Sequence, residues 1–284
     1  MSEIGIDSST DEIRGLLDAY QRERVIPHPL LRPYLPDATA CLTGSSSIGL
    51  WDEHSSLDVH LVLPDVDHAQ LALRLREERL WNPARDFRLR LEDREPFRRF
   101  PSAVITILST AQLTQEFRFE LPVALWIYEH AVVLQDPAGT LETAVQSGVQ
   151  RFADVLSDLR CEHYYRFRQA RNDLLPRIAP QRLKTVLAIK RGETVREALR
   201  LAFLADGKCY PYDKLLEPVA ERETQCGANI VTAVRALVAA READAVAHAG
   251  KVLRDRVAFA LQQGGVSEKW LEQWWLWPSI APTE

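Results

Sequence analysis

The residues of this sequence with the clearest potential for chemistry lie in the segment 55–63, which reads Ser-Ser-Leu-Asp-Val-His-Leu-Val-Leu. Polar residues alternate there with apolar ones, and successive side chains of a β-strand point to opposite faces of its sheet. The spacing therefore predicts a strand that directs Ser56, Asp58 and His60 to one face and the apolar residues to the core. A carboxylate on that face suits magnesium, whereas imidazole suits zinc and other transition ions better.

A serine-rich segment, Gly44-Ser-Ser-Ser-Ile-Gly49, precedes this strand and follows an apolar stretch, residues 38–43, that we expect to be a strand of its own. We expect the segment to form a turn. Gly44 would let the backbone approach a phosphate closely, and Ser45 would add a hydroxyl donor. Taken alone, such a segment is more often an ordinary loop, and it has neither the GK[ST] ending of a P-loop nor the GxSxG pattern of a nucleophile elbow.

Taken together, Gly44-Ser45 and Ser55-Ser56-Leu57-Asp58 resemble the signature of the nucleotidyltransferase superfamily. In that signature a strand ends in Gly-Ser, and a second strand opens with two carboxylates two residues apart. The resemblance implies transfer of a nucleoside monophosphate from a triphosphate to an acceptor hydroxyl by in-line displacement, with Mg²⁺ bridging carboxylates and phosphates. It implies Asp58 as the catalytic carboxylate and metal ligand, and Gly44, Ser45 and Ser56 as nucleotide contacts.

The sequence departs from that signature at the carboxylates. Ser56 stands at the first carboxylate position, and a third carboxylate is expected on the strand 103–108, which offers Ile105 and Thr106 instead. Glu92 or Asp93, at the end of the preceding strand, would then complete the metal shell, with His60 as a further candidate ligand. The resemblance therefore implies weak magnesium and triphosphate binding and slow or absent turnover.

The resemblance continues beyond the first two strands. Leu134-Gln-Asp-Pro-Ala-Gly139 matches an Asp-Pro-x-Gly turn that ends the catalytic lobe in several bacterial members, and Lys208-Cys-Tyr-Pro-Tyr-Asp-Lys-Leu-Leu216 matches a Tyr-Pro-x-x-Lys motif in the helical domain that follows. It implies that Tyr210 and Lys214 touch the base or a phosphate. An equally weighted alternative is that Pro211 simply opens a helix held by aromatic packing.

The composition is that of a folded protein with room for two domains. Of the 284 residues, 46% are hydrophobic and 26% are charged. The sequence contains no apolar run of 18 residues, so we expect no membrane span. Four widely spaced cysteines give no zinc-ligand pattern, and the N-terminus shows no secretory signal, so we expect a cytoplasmic protein with reduced thiols. The net charge of −5 argues against a nucleic-acid partner.

Charge is divided unevenly between the two halves of the chain. Residues 1–150 have a net charge of −9 and no lysine, whereas residues 151–284 have a net charge of +4. This change in composition supports two lobes, of which the second can present cations to a phosphate. The alternative is that the basic residues only solvate helix faces.

The periodicity predicts an α+β fold, with a nucleotidyltransferase-like mixed-sheet domain over residues 1–145 and a helical C-terminal domain over residues 146–284. Strand patterns occur at 38–43, 57–63, 87–91, 103–108 and 131–134. Helix patterns occur at 9–20, 68–79 and 121–129, and the 3.6-residue period dominates after Thr140.

The leading hypothesis is a nucleotidyltransferase of doubtful activity that acts on an unidentified small-molecule or protein acceptor. Two other functional hypotheses remain. One is a non-catalytic nucleotide-binding or protein-interaction module. The other is an enzyme of different chemistry that uses Asp58 and His60 with a transition metal.

Overall fold

The computed structural model of this protein describes residues 29–50, 57–78, 88–91, 103–175 and 184–279, and the structural account is confined to them. The chain divides into two compact units, Met1–Val149 and Gln150–Glu284. All strands of the described residues belong to the first unit.

The first unit contains a five-stranded mixed sheet in the order β3-β4-β2-β1-β5. The central pair β2 and β4 is parallel, and the other neighbouring pairs are antiparallel. The strands are β1 (Thr39–Thr43), β2 (Leu57–Leu63), β3 (Arg88–Leu91), β4 (Ala103–Ser109) and β5 (Val132–Gln135). All five predicted strands are therefore confirmed to within one or two residues at each end.

Five helices accompany the sheet in the described part of the first unit or begin there: α1 (Gly44–Ser47), α2 (Asp65–Glu77), α3 (Thr110–Phe119), α4 (Leu121–Glu129) and α5 (Thr140–Asn172). A short 3-10 helix, Leu35–Asp37, precedes β1. The helix predicted at residues 9–20 lies outside the described residues.

The core of the first unit forms on one face of β2, as the alternation in the sequence predicts. The four odd-numbered residues of β2 are at most 3% exposed, and they pack with buried residues of β1, β4 and α2. Burying a leucine or valine side chain contributes about 1.5–3 kcal/mol, so each of these four residues stabilises the sheet by roughly that amount. The opposite face is left to the even-numbered residues, which include Asp58 and His60.

The segment that follows β1 differs from the predicted turn, because Gly44–Ser47 forms one turn of helix, α1. The serine hydroxyls close this turn on nearby carbonyls: Ser46 Oγ donates to Thr43 O at 3.2 Å, and Ser47 Oγ donates to Gly44 O at 2.9 Å. Serine side chains often bond local backbone in this way, which stabilises short irregular turns. The first residue of the turn, Gly44, has a φ of +75°.

Helix α3 is absent from the sequence-based prediction, although its start carries a recognisable signal. Ser109 and Gln112 form a capping box: Ser109 Oγ accepts from Gln112 N at 3.1 Å, and Gln112 Oε1 accepts from Ser109 N at 2.8 Å. A Ser-x-x-Gln pattern is a known helix start. Here the Ser-x-x-Gln pattern begins at the last residue of β4, so the helix start was hidden by the strand pattern before it.

The described residues of the second unit are helical, which confirms the α+β fold class. The 3.6-residue period predicted after Thr140 buries Ala198, Phe203, Ile230 and Val234, whereas Val238 is 51% exposed. No described helix has the length and apolar character needed to span a membrane. After α5 come α6 (Lys184–Ala205), α7 (Asp213–Glu223), α8 (Gly227–Ala239), α9 (Ala243–Gln263), α10 (Glu268–Glu272) and a 3-10 helix, Trp274–Ser279.

Candidate functional site

Asp58 lies on β2 directly beside the start of α1. A Cβ atom placed on Gly44 would lie 2.8 Å from Asp58 Oδ2, so any larger residue would have to displace this carboxylate. Thr43 pairs with Asp58 across the two strands, and Thr43 Oγ1 donates to Asp58 O at 3.2 Å. The resemblance to the superfamily signature predicted that Asp58 lies close to the Gly44-Ser45 segment, and in the structure Asp58 lies against Gly44.

The strand register gives the neighbours of Asp58 on both sides. Thr43 of β1 lies opposite it, and Val104 is its partner on β4. Thr106, which the sequence placed near the third carboxylate position, is instead the partner of His60. Among the described residues, therefore, no flanking strand position contributes a second carboxylate beside Asp58.

His60 takes part in a hydrogen-bonded chain with two helical residues that the sequence did not single out. Tyr128 Oη donates to Glu116 Oε2 at 2.7 Å, and His60 Nδ1 lies 3.1 Å from Tyr128 Oη. A phenol has one proton, and here Glu116 receives it. The His60 contact is consequently a bond in which Nδ1–H donates to the phenol oxygen, and this fixes the tautomer of the neutral imidazole.

Burial opposes ionisation of the acidic groups in this hydrogen-bonded chain. Burial raises the pKa of Glu116, against the opposing effect of the bond from Tyr128. Burial and the nearby Glu116 carboxylate hold the pKa of Tyr128 well above its usual range. Cys41, which lies opposite His60 on β1, has a pKa raised to about 12, first by burial and then by Asp136 and Glu116. A thiol with a raised pKa is protonated at neutral pH and is therefore a poor nucleophile.

Asp58 is the residue of the described polar face that could hold a magnesium ion together with a substrate. No group of three or more histidine, cysteine, aspartate or glutamate side chains is placed to hold a metal ion within the described ranges. Magnesium is nevertheless often bound by one or two carboxylates plus substrate phosphates, and Asp58 meets that requirement. Ser56, Glu92 and Asp93 lie outside the described residues, so their predicted roles stay predictions.

The two residues of the predicted motif in the second unit have different environments. Tyr210 is 5% exposed, its Oη lies 2.9 Å from His163 Nε2, and the Arg200 guanidinium lies 5.1 Å from its ring centroid. Lys214 is exposed, with Nζ 5.5 Å from the Tyr212 ring. The hydroxyl of Tyr210 thus has an internal partner. Contact of either residue with a nucleotide stays a prediction.

The Asp-Pro-x-Gly turn has a structural role that the sequence did not reveal. Asp136 accepts hydrogen bonds from three backbone N–H groups at the start of α5, those of Thr140, Leu141 and Glu142, at 2.9–3.1 Å. It also accepts from Thr39 Oγ1 of β1 at 2.6 Å. Asp136 therefore caps α5 and ties it to the sheet.

Comparison with known proteins identifies no family for this chain. No protein-family model matches the sequence, and there is no significant match among curated proteins. One solved structure to which the chain is similar is a nucleotidyltransferase-like protein from Exiguobacterium sibiricum, with 10% sequence identity and a TM-score of 0.40 over 89% of this chain and 77% of that one. A similarity of that size carries no argument about function.

Proposed function

We propose that this chain is a nucleotidyltransferase-superfamily protein that binds a magnesium nucleoside triphosphate beside Asp58 and transfers the nucleotide slowly or not at all. The observation that supports it is the contact between the Asp58 carboxylate and Gly44, which unites the two halves of the sequence signature. The same register that places Asp58 there gives it Thr43 and Val104 as neighbours.

The proposed binding mode assigns one role to each group. Asp58 would hold Mg²⁺, which supplies charge neutralisation to the phosphates and orients them. Gly44 leaves the space that the carboxylate occupies, and Ser45 would donate to a phosphate oxygen. His60 holds its proton on Nδ1 for Tyr128, so in the neutral ring Nε2 is the basic nitrogen on the polar face of β2.

Slow turnover follows from the number of carboxylates. Two-metal transfer needs carboxylates that fix both ions and so stabilise the attacking and leaving oxygens. Each such stabilising interaction is worth several kcal/mol in the transition state, and every 1.36 kcal/mol lost is a tenfold loss of rate. With one carboxylate on the described face, binding is retained more readily than catalysis.

A non-catalytic nucleotide-binding module is the second candidate, and the register of Val104 beside Asp58 favours it. The two candidates differ in turnover, not in binding.

The experiment that tests turnover measures pyrophosphate release from each of the four nucleoside triphosphates with Mg²⁺ and candidate hydroxyl acceptors. We expect little release by the wild type, and we expect Ser56→Asp to raise magnesium affinity by restoring the first carboxylate position. Robust release by the wild type that disappears in Asp58→Ala would overturn the impaired-site proposal and establish an active transferase. Equal release by wild type and Asp58→Ala would refute a role for Asp58.

A further inference from the structure

Arg171, near the end of α5, is a buried arginine that forms no direct ion pair with any of the described residues. It is 9% exposed, and its hydrogen bond is to the neutral side chain of Asn172, from Nη1 to Oδ1 at 3.3 Å. Exposed arginines of the same unit are better paired: Arg235 bonds Glu217 and Glu221 at 2.8–3.0 Å. A buried charge normally requires a partner, because losing hydration costs several kcal/mol.

Two more guanidinium groups accompany Arg171. Arg168 lies three residues earlier, on the same side of α5. Arg171 also lies along α9: a Cβ placed on Gly250 would be 3.8 Å from its Cγ and Nε, and Arg254 follows Gly250 by one helical turn. The neighbouring carboxylate is that of Asp255, which accepts a hydrogen bond from Arg254 Nε at 2.8 Å.

The electrostatic balance of this cluster is positive. Burial lowers the pKa of Arg171, and the charges of Arg254 and Arg168 lower it further, while Asp255 opposes them. Three cations and one carboxylate leave about two positive charges without compensation among these four side chains. Like charges held together in this way destabilise the protein unless an anion neutralises them.

Arg168 is held rigidly, as a binding residue should be. Its Nη1 donates to Tyr164 Oη at 3.0 Å, and its guanidinium lies 5.6 Å from the Tyr164 ring and 5.0 Å from the Trp274 ring. Its Nε is buried and has no hydrogen-bond partner in the described part of the chain. Contacts with two aromatic rings fix the orientation of a guanidinium, and that lowers the entropy cost of binding an anion.

We infer that Arg168, Arg171 and Arg254 form a binding site for a phosphate group, either free orthophosphate or the phosphate of a small molecule. A guanidinium fork matches the oxygens of a phosphate and bonds them in pairs, and such charge-assisted bonds are about twice as strong as neutral ones. A phosphate monoester carries about −1.5 to −2 charges at neutral pH, which balances the uncompensated charge. A single carboxylate would balance only half of it.

The site is separate in sequence from Asp58 and requires no magnesium, so it can be tested without the proposed nucleotide site. The assay is thermal unfolding of the full chain in EDTA, with chloride, orthophosphate or adenosine 5′-monophosphate at constant ionic strength. We expect either phosphate probe to raise the wild-type midpoint by about 2–4 °C at about tenfold its Kd, relative to chloride. If only the nucleotide does so, the phosphate group belongs to a larger ligand.

Variants connect the shift to the three arginines. Arg171→Met should raise the midpoint in chloride, because it removes an uncompensated charge and keeps the apolar stem, and it should abolish the phosphate-dependent rise. Arg254→Met should reduce the rise and serves if Arg171→Met does not fold. Arg256→Met is the matched control, since it removes an exposed positive charge from the same helix and should keep the full rise.

Asp58→Asn separates this inference from the proposed function. The rise should persist in that variant, because the cluster does not include Asp58. Absence of a rise in the wild type, or an equal rise in Arg171→Met, overturns the inference. A rise that is lost in Asp58→Asn but kept in Arg171→Met would place phosphate at the Asp58 site and would likewise overturn it, while supporting the proposed function.

Discussion

Replacing Gly44 by alanine is the perturbation that most directly probes the contact between α1 and Asp58. The backbone at Gly44 has a φ of +75°, a conformation that costs an L-residue about 1–2 kcal/mol. The added Cβ would also lie 2.8 Å from Asp58 Oδ2. A carboxylate at the end of a short side chain can rotate away, at a further cost of about 0.5–1.5 kcal/mol.

The chain contains a matched control for the backbone part of this cost. Gly49 has a φ of +72°, and a Cβ placed there would meet no atom within 4 Å. Gly49→Ala should therefore lose about 1–2 kcal/mol of unfolding free energy. Gly44→Ala should lose about 1.5–3.5 kcal/mol, the sum of the strain and the carboxylate displacement.

Urea unfolding of the two variants measures the difference, and magnesium-dependent nucleotide binding measures its functional consequence. Gly44→Ala should weaken that binding, because the Asp58 carboxylate has moved, whereas Gly49→Ala should leave it unchanged. Equal stability losses in the two variants, together with equal nucleotide affinity, would refute the contact and its proposed role.

Two further predictions concern stability. Asp136→Ala should lower the free energy of unfolding in urea by about 2–4 kcal/mol, because it removes a helix cap and leaves the buried Thr39 hydroxyl without an acceptor. Asp136→Asn should lower it less. A decrease below about 0.5 kcal/mol for the alanine variant would contradict the capping role. Burial opposes ionisation of Glu197, but the bond from His163, 2.5 Å from Nδ1 to Oε2, and two arginines lower the pKa of Glu197 below its usual value of 4.5. The ionised carboxylate therefore stabilises the fold above about pH 5, and this stabilisation is lost on acidification. Glu197→Gln should reduce the dependence of the urea midpoint on acid pH, and an unchanged pH profile would refute this.

The sequence predicted the sheet well because strands with one buried face have a strong period of two. The limits of β2 were predicted to the residue, since Leu57 and Leu63 bound an uninterrupted alternation. Helix α3 was missed, because Thr110–Phe119 is largely exposed and has only a narrow apolar stripe, Leu113 and Phe117. Its capping box was the available signal.

The candidate site was predictable only where its residues are close in the sequence. Asp58 and Gly44 lie on adjacent elements, so a local motif could join them. Glu116 and Tyr128 belong to two helices that lie far from His60 in the sequence. The periodicity of a sequence does not show which helix packs on which face of the sheet. The partners of Tyr210 are tertiary in the same sense, and so is Thr39, the distant partner of Asp136. The arginine cluster is also tertiary, because its members come from α5 and α9.

The central claim is that Asp58 binds a magnesium nucleotide beside Gly44, and calorimetric titration of the full chain with ATP tests it most directly. Titrations of wild type and Asp58→Asn, each with Mg²⁺ and with EDTA, separate the metal-dependent part of binding from any other. We expect wild-type affinity to depend on Mg²⁺ and to fall at least about tenfold in Asp58→Asn, which is about 1.4 kcal/mol. Binding of equal affinity in both proteins, or wild-type binding that Mg²⁺ does not change, would contradict the claim.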